Sequence, residues 1–216
     1  MKIASYLDST NLKSDSSSQD ITKLCKEAKL YNMAAVCLLP YRVQLATSLL
    51  LDSSVKVCTV IGFPLGADRT EVKLCAAKQA LVDGARELDL VINIGAIKDG
   101  DYNLVEDELD LILQLKSEHD FILKVIVETA VLTEEELIYL TKLVSHLECD
   151  YIKTSTGFAR RGVNIEDIET INQYKSKELK IKASGGIRSP DFAWQLIDLG
   201  VNRIGTSNAI AILRGE

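Results

Sequence analysis

A chain of 216 residues that is 47% hydrophobic and 26% charged can build one sizeable core, so residues 1–216 are expected to form a single domain. The net charge of −6 argues against a nucleic-acid partner, because phosphate-backbone affinity needs clustered Lys and Arg, although converging basic residues could still hold a small anion. Five cysteines, Cys25, Cys37, Cys58, Cys75 and Cys149, are odd in number, scattered and never spaced C-x-x-C; neither a disulfide framework nor a zinc site is expected, and a reducing, cytoplasmic setting fits.

Met1-Lys2 leads almost directly into a strand-like run, Ile3–Leu7. No apolar leader is present and no apolar span of about 18 residues follows, so neither export nor a membrane is expected. Ser14–Ser18 reads as a turn, with Asp20 starting a helix over Ile21–Leu30. Further β-rich runs lie at Ala34–Leu38, Lys56–Ile61, Glu87–Ile92, Ile122–Val127, Tyr151–Lys153, Leu179–Ala183 and Arg203–Gly205. Between them, Asp101 precedes a helical pattern over Leu104–Leu115, and Thr133-Glu134-Glu135-Glu136 forms a capping box before Leu137–Leu147. Eight strand candidates alternating with helices imply a parallel sheet. In so short a chain they favour an α/β fold closed as a (β/α)8 TIM barrel over an open doubly wound sheet.

Alternate residues of a strand face opposite sides, and the side covered by helices should be apolar. Leu88, Leu90 and Ile92 then face the helices, leaving Glu87, Asp89 and Val91 inside; Leu123, Val125 and Val127 leave Lys124, Ile126 and Glu128 inside. Ile152 faces outward with Tyr151 and Lys153 inward, and Ile181 and Ala183 leave Lys180, Lys182 and Ser184 inward. Asp89, Lys124, Lys153 and Lys182 would share one interior, where ionisable groups are costly unless paired. Snorkelling or structural ion pairing is the preferred account of Lys180 and a serious one for Lys124, which is also a candidate substrate contact. Lys153 and Lys182, each followed within three residues by Ser and then Gly at the strand mouth, favour catalysis.

An amine with an ordinary pKa near 10.4 is a poor nucleophile at neutral pH. A like charge roughly 5 Å away, at an effective dielectric of about 20, is worth about 3 kcal/mol, so one of two adjacent lysines could be held neutral and attack a carbonyl. Asp89 is the candidate for proton relay, through a water. Gly185-Gly186 and Gly205-Thr206-Ser207-Asn208 follow the last two strands, where barrels commonly bind phosphate, though such glycines can equally serve only to turn the chain. The two histidines, His119 and His146, fall near helix ends, so no metal is expected; Cys37 could face the site or simply pack in the core.

YIKTSTGF at 151–158, IKASGGIR at 181–188, IGFPLGADRTEVK at 61–73 and ELDLVINIG at 87–95 together make the chain resemble bacterial deoxyribose-phosphate aldolases of the short type over its full length. The resemblance implies that Lys153 is the Schiff-base lysine and that Asp89 and Lys182 are proton donor/acceptors. The implied reaction is reversible cleavage of 2-deoxy-D-ribose 5-phosphate to glyceraldehyde 3-phosphate and acetaldehyde, with no metal or organic cofactor and with small sugar phosphates and aldehydes as the partners. It further implies that Gly157, Gly185, Gly186 and Ser207 surround the phosphate, that Asp8 and Cys37 lie near the substrate chain, and that the protein is a homodimer or homotetramer. Leu39, Val163-Asn164 and Asn208 depart from the family's usual residues, and the chain stops at Arg214-Gly215-Glu216 without the longer members' tyrosine-bearing tail. Rival readings are another Schiff-base barrel, such as a transaldolase-like enzyme, and a non-catalytic sugar-phosphate-binding barrel.

Overall fold

The computed structural model describes residues 3–215. Its strands are β1 (Leu7–Asn11), β2 (Ala35–Leu38), β3 (Lys56–Ile61), β4 (Glu87–Val91), β5 (Ile122–Ile126), β6 (Tyr151–Lys153), β7 (Lys180–Ser184) and β8 (Arg203–Thr206). They close into one barrel in sequential order, and β8 pairs in parallel with β1. Around it run α1 (Ser18–Tyr31), α2 (Val43–Leu49), α3 (Thr70–Val82), α4 (Ile94–Lys98), α5 (Tyr102–Leu113), α6 (Glu134–His146), α7 (Ile165–Tyr174), α8 (Pro190–Asp198) and α9 (Ala209–Arg214). This is the TIM barrel expected from the alternation of elements.

The helices start where polar side chains can satisfy the first backbone N–H groups. Thr133 and Glu136 form the expected capping box of α6, and Asp101 caps α5. At α1 the cap is Ser17, which forms the box with Asp20; the expected start at Asp20 is therefore one turn too late. A larger difference lies at the N-terminus. Ile3–Tyr6 is a 3-10 turn rather than strand, and β1 begins at Leu7.

Two apolar cores lie on opposite sides of the sheet. The outer one holds Leu88, Leu90, Ile92, Leu123, Val125, Val127, Ile152, Ile181 and Ala183 against the helices, the parity expected from the sequence. Truncating one of these leucines to alanine would cost about 2–5 kcal/mol. The smaller core is inside the barrel, where Ala35, Cys37, Cys58 and Val60 of β2 and β3 pack with Leu12, Leu39 and Phe63. The interior beside β2 and β3 is thus apolar, while β1 and β4–β8 carry its charged side chains.

Outside the barrel, Lys73 of α3 and Glu108 of α5 pair at 2.8 Å with no exposed side-chain surface, and the Lys73 amine donates to the carbonyl of Val91 at the end of β4 (2.9 Å). A Cβ on Gly62 would stand 2.8 Å from the Lys73 side chain, so the missing side chain there makes room for this buried cation.

Candidate active site

Strand register brings the sequence-predicted lysines and acid together. Asp89 is the direct neighbour of Lys124 across β4 and β5, and Lys153 that of Lys182 across β6 and β7. The Lys153 amine donates to Asp89 Oδ2 at 2.7 Å, Lys182 donates to the same oxygen at 2.6 Å, and Lys124 donates to Asp89 Oδ1 at 3.0 Å.

Those contacts are part of a larger circuit. Arg203, at the start of β8, reaches Asp8 of β1 through Nε (2.7 Å) and Glu87 of β4 through Nη2 (2.9 Å). Asp8 Oδ2 meets Lys182 at 2.6 Å, and Glu87 Oε2 meets Lys124 at 2.6 Å. The six side chains Arg203, Asp8, Lys182, Asp89, Lys124 and Glu87 therefore alternate in sign around a closed ring, each touching two of opposite charge. Three cations balance three carboxylates. Lys153 hangs off this ring at Asp89, its charged partner among the described residues, and is the last residue of its strand.

Burial alone would push the carboxyls up, yet both acids flanking Lys182 go the other way. Arg203, then Lys182 and Lys124, hold Asp8 below the ordinary carboxylate range, and Lys124, Lys153 and Lys182 hold Asp89 well below it. Burial would likewise discharge the ring lysines, but Asp8 and Asp89 hold Lys182 above its usual value, and Asp89, with Cys58 and Glu87, does so for Lys124. Asp8, Asp89, Lys124, Lys182 and Arg203 are thus each shifted toward their charged forms. The isolated like-charge pair expected from the sequence is corrected accordingly: carboxylates stand between and around the lysines.

Asp8 and Lys124, expected among the substrate contacts, have no exposed side-chain surface and are engaged within the ring. Lys153 retains 4% side-chain exposure where Lys124 and Lys182 have none, so of the three it is the amine open to a substrate. Lys180, read as inward by parity, is exposed at the opposite end of β7, its amine 5.6 Å from the Tyr151 ring centroid. Cys37 does face inward, its sulfur 3.8 Å from Asp89 Oδ2, while the Cys58 thiol donates to Asp89 Oδ1 at 3.1 Å. Cys37, Cys58 and Asp89 are close enough to share a metal ion, but Lys124 lies 3.3 Å from the Cys58 sulfur and three ammoniums occupy the carboxylate, an environment hostile to a further cation.

Above Lys153, the loops after β6 and β7 are locked together. Ser184 Oγ donates to the Ser155 carbonyl at 2.6 Å, and Glu128, just past β5, accepts the Thr156 N–H at 3.0 Å as well as the Thr156 hydroxyl. Gly157, Gly185 and Gly186 all adopt positive φ, at 87°, 82° and 77°. Gly162 approaches Gly185 so closely that a Cβ there would stand 2.0 Å from the Gly185 carbonyl oxygen. Ser207 is exposed at the end of β8, next to the half-buried Asn208 that starts α9. His146 is exposed at the end of α6 and His119 lies in the loop before β5.

Sequence reasoning missed Arg203, the ring role of Glu87, and Gly162. For Arg203 the signal was available: Ile204 packs in the outer core, so parity turns Arg203 inward.

Residues 2–205 match the family model described as DeoC/LacD family aldolase. The chain belongs to this family. A curated deoxyribose-phosphate aldolase from Thermococcus gammatolerans is 48% identical over 217 residues, covering all of this chain and 96% of the relative. Among solved structures, an aldolase called QR15 superposes with a TM-score of 0.93 at 41% identity, covering 98% of this chain and 94% of that one. A deoxyribose phosphate aldolase from Aeropyrum pernix, described as having a unique tetrameric structure, gives 0.91 at 32% identity, covering 98% and 89%. For a DeoC/LacD aldolase, a lysine at a barrel mouth above a charged interior is the feature on which carbonyl chemistry can turn. No helix among the described residues is long and apolar enough to cross a membrane.

Proposed function

We propose that this aldolase cleaves 2-deoxy-D-ribose 5-phosphate reversibly to D-glyceraldehyde 3-phosphate and acetaldehyde, with Lys153 as the nucleophile. The observation that carries the reading is the position of Lys153: at the mouth, on one carboxylate, outside a ring whose own charges cancel. With Lys153 protonated the buried cluster has four cations against three carboxylates, and losing the Lys153 proton removes that surplus without breaking any pair in the ring.

The neutral amine attacks C1 of the open-chain sugar; loss of water leaves an imine, protonated as the iminium. Deprotonation of the C3 hydroxyl forms the carbonyl of glyceraldehyde 3-phosphate as the C2–C3 bond breaks and its electron pair enters the iminium. The enamine is then protonated at C2 and hydrolysed, releasing acetaldehyde and free Lys153. Asp89 Oδ2, shared by Lys153 and Lys182, is suited to pass a proton between them, and Lys182 can exchange it with the substrate through a water. The positive-φ backbone at Gly157, Gly185 and Gly186, together with exposed Ser207 after β8, is suited to offer N–H groups to the phosphate, and Cys37, beside Asp89, to meet the substrate chain.

Incubation with acetaldehyde and borohydride followed by mass mapping tests the nucleophile: a reduced adduct at Lys153 is expected, and a label elsewhere would overturn the assignment. A coupled assay for glyceraldehyde 3-phosphate tests the substrate, and failure to release it would favour another Schiff-base donor. Lys153→Ala should lose at least about a thousandfold in rate while retaining the fold. We also propose a homodimer or homotetramer, supported by the tetrameric Aeropyrum pernix relative and checked by sedimentation. A reducing cytoplasmic location is proposed from the five free cysteines.

A further inference from the structure

We infer that Arg203, the neighbour of Lys182 across β7 and β8, is the positioning residue whose charge leaves Lys153 free to be neutral. The inference rests on Lys153 being the Schiff-base nucleophile.

The charged side chains inside the barrel are buried, so their formal charges must nearly balance. Facing into it are Asp8 from β1, Cys37 from β2, Cys58 from β3, Glu87 and Asp89 from β4, Lys124 from β5, Tyr151 and Lys153 from β6, Lys182 from β7 and Arg203 from β8. Glu128, past β5, is occupied by Thr156 and lies within the field of Arg161; Lys180 is exposed at the other end of β7. Three carboxylates are then matched by Lys124, Lys182 and Arg203 alone. Were Arg203 uncharged, the ring would carry one net negative charge, and protonated Lys153 would become its needed counter-ion. The guanidinium is the suitable group for this duty, because it stays protonated under all working conditions and its fork spans two carboxylates at once. It binds both Asp8 and Glu87, whose other partners are Lys182 and Lys124, so its charge is felt by both ring lysines that flank Asp89.

A residue needed only for packing would not behave this way under charge compensation. Removing Arg203 and Glu87 together deletes one cation and one anion, which restores the surplus that favours neutral Lys153.

The test is the pH dependence of kcat/KM for 2-deoxyribose 5-phosphate cleavage in the full chain, read alongside borohydride trapping of acetaldehyde at Lys153. In Arg203→Met the midpoint of the acidic limb should rise by about one pH unit, with roughly tenfold less activity and trapping at pH 7, as expected for loss of one unit charge from a protein interior. Arg203→Lys should keep the wild-type midpoint, and the double variant Arg203→Met/Glu87→Gln should return to it within about a third of a unit. An unmoved midpoint in Arg203→Met, or a double variant displaced as far as the single one, would overturn the inference. Should Arg203→Met fail to fold, Glu87→Gln alone decides: it adds to the surplus, so its midpoint must fall, and a midpoint that stays or rises refutes the charge count. Absence of a Lys153 adduct in the wild-type protein would instead sink the Schiff-base assignment itself.

Discussion

Lys153 and Lys182 donate to one and the same oxygen, Oδ2 of Asp89, at 2.7 and 2.6 Å. Their strands are in register at these two residues, so the two amines share one acceptor. Lys182→Met should therefore act twice. It removes the proton carrier beside Asp89, and it removes a ring cation, which makes protonated Lys153 the counter-ion. Activity should fall by about 10²–10⁴-fold, and the acidic limb of the pH-rate profile should move upward. An unchanged limb would show that the lysines are not electrostatically linked.

Acid stability follows from the two carboxyls held low. Asp8 and Asp89 have folded-state values below those of the unfolded chain, so the stabilisation they bring is complete above the unfolded value near 3.9 and is lost as pH falls through that value toward the folded ones. The melting temperature of the wild type should drop steeply below about pH 4. Asp89→Asn removes the carboxylate shared by Lys153 and the ring cations Lys124 and Lys182, and should cost about 3–5 kcal/mol at pH 7. That deficit should shrink at pH 3, as seen by circular dichroism melts of the two proteins side by side.

The Lys73–Glu108 pair makes the opposite case, because burial dominates both partners, lowering the Lys73 value and raising that of Glu108. Breaking it by Lys73→Met alone leaves Glu108 buried without its cation and should destabilise by about 3–5 kcal/mol. The apolar double variant Lys73→Met/Glu108→Leu should be close to neutral in urea unfolding. Because Lys73 also holds the Val91 carbonyl at the end of β4, the single variant should weaken activity more than the double restores it.

Gly162→Ala tests the lock between the mouth loops. The new methyl would meet the Gly185 carbonyl oxygen at 2.0 Å, and that oxygen is backbone with no rotamer to yield, so the chain must shift there. Binding of the phosphorylated substrate should suffer first. KM should rise at least about tenfold, a loss of roughly 1.4 kcal/mol, with trapping of acetaldehyde at Lys153 largely retained.

The barrel was legible because its signals are local and repeated. The strand parity of Leu88, Leu90 and Ile92, or of Leu123, Val125 and Val127, needs no tertiary information, and from it Asp89, Lys124, Lys153 and Lys182 fall into one interior. The first strand was misplaced for a physical reason. Ile3–Tyr6 is mostly apolar, with a β-favouring Ile and Tyr, yet folds as a 3-10 turn, while β1 itself, Leu-Asp-Ser-Thr-Asn, is polar beyond Leu7, where Asp8 serves the charged interior. The ring was not legible, since it joins Arg203 to partners 116 and 195 positions away and closes only when β8 meets β1. Nor did spacing reveal how near Gly162 stands to Gly185.

A circuit in which every charge answers two others constrains how such a chain can change over generations. Single replacements that remove the charge at Asp8, Glu87, Asp89, Lys124, Lys182 or Arg203 leave a stranded ion, so those charges can be lost only in matched pairs. Leu39, Val163, Asn164 and Asn208 stand outside the circuit, so replacing any of them strands no ion in it. Retuning the aldehyde this fold accepts, by nature or by design, is therefore work for the loops, with the barrel floor inherited whole.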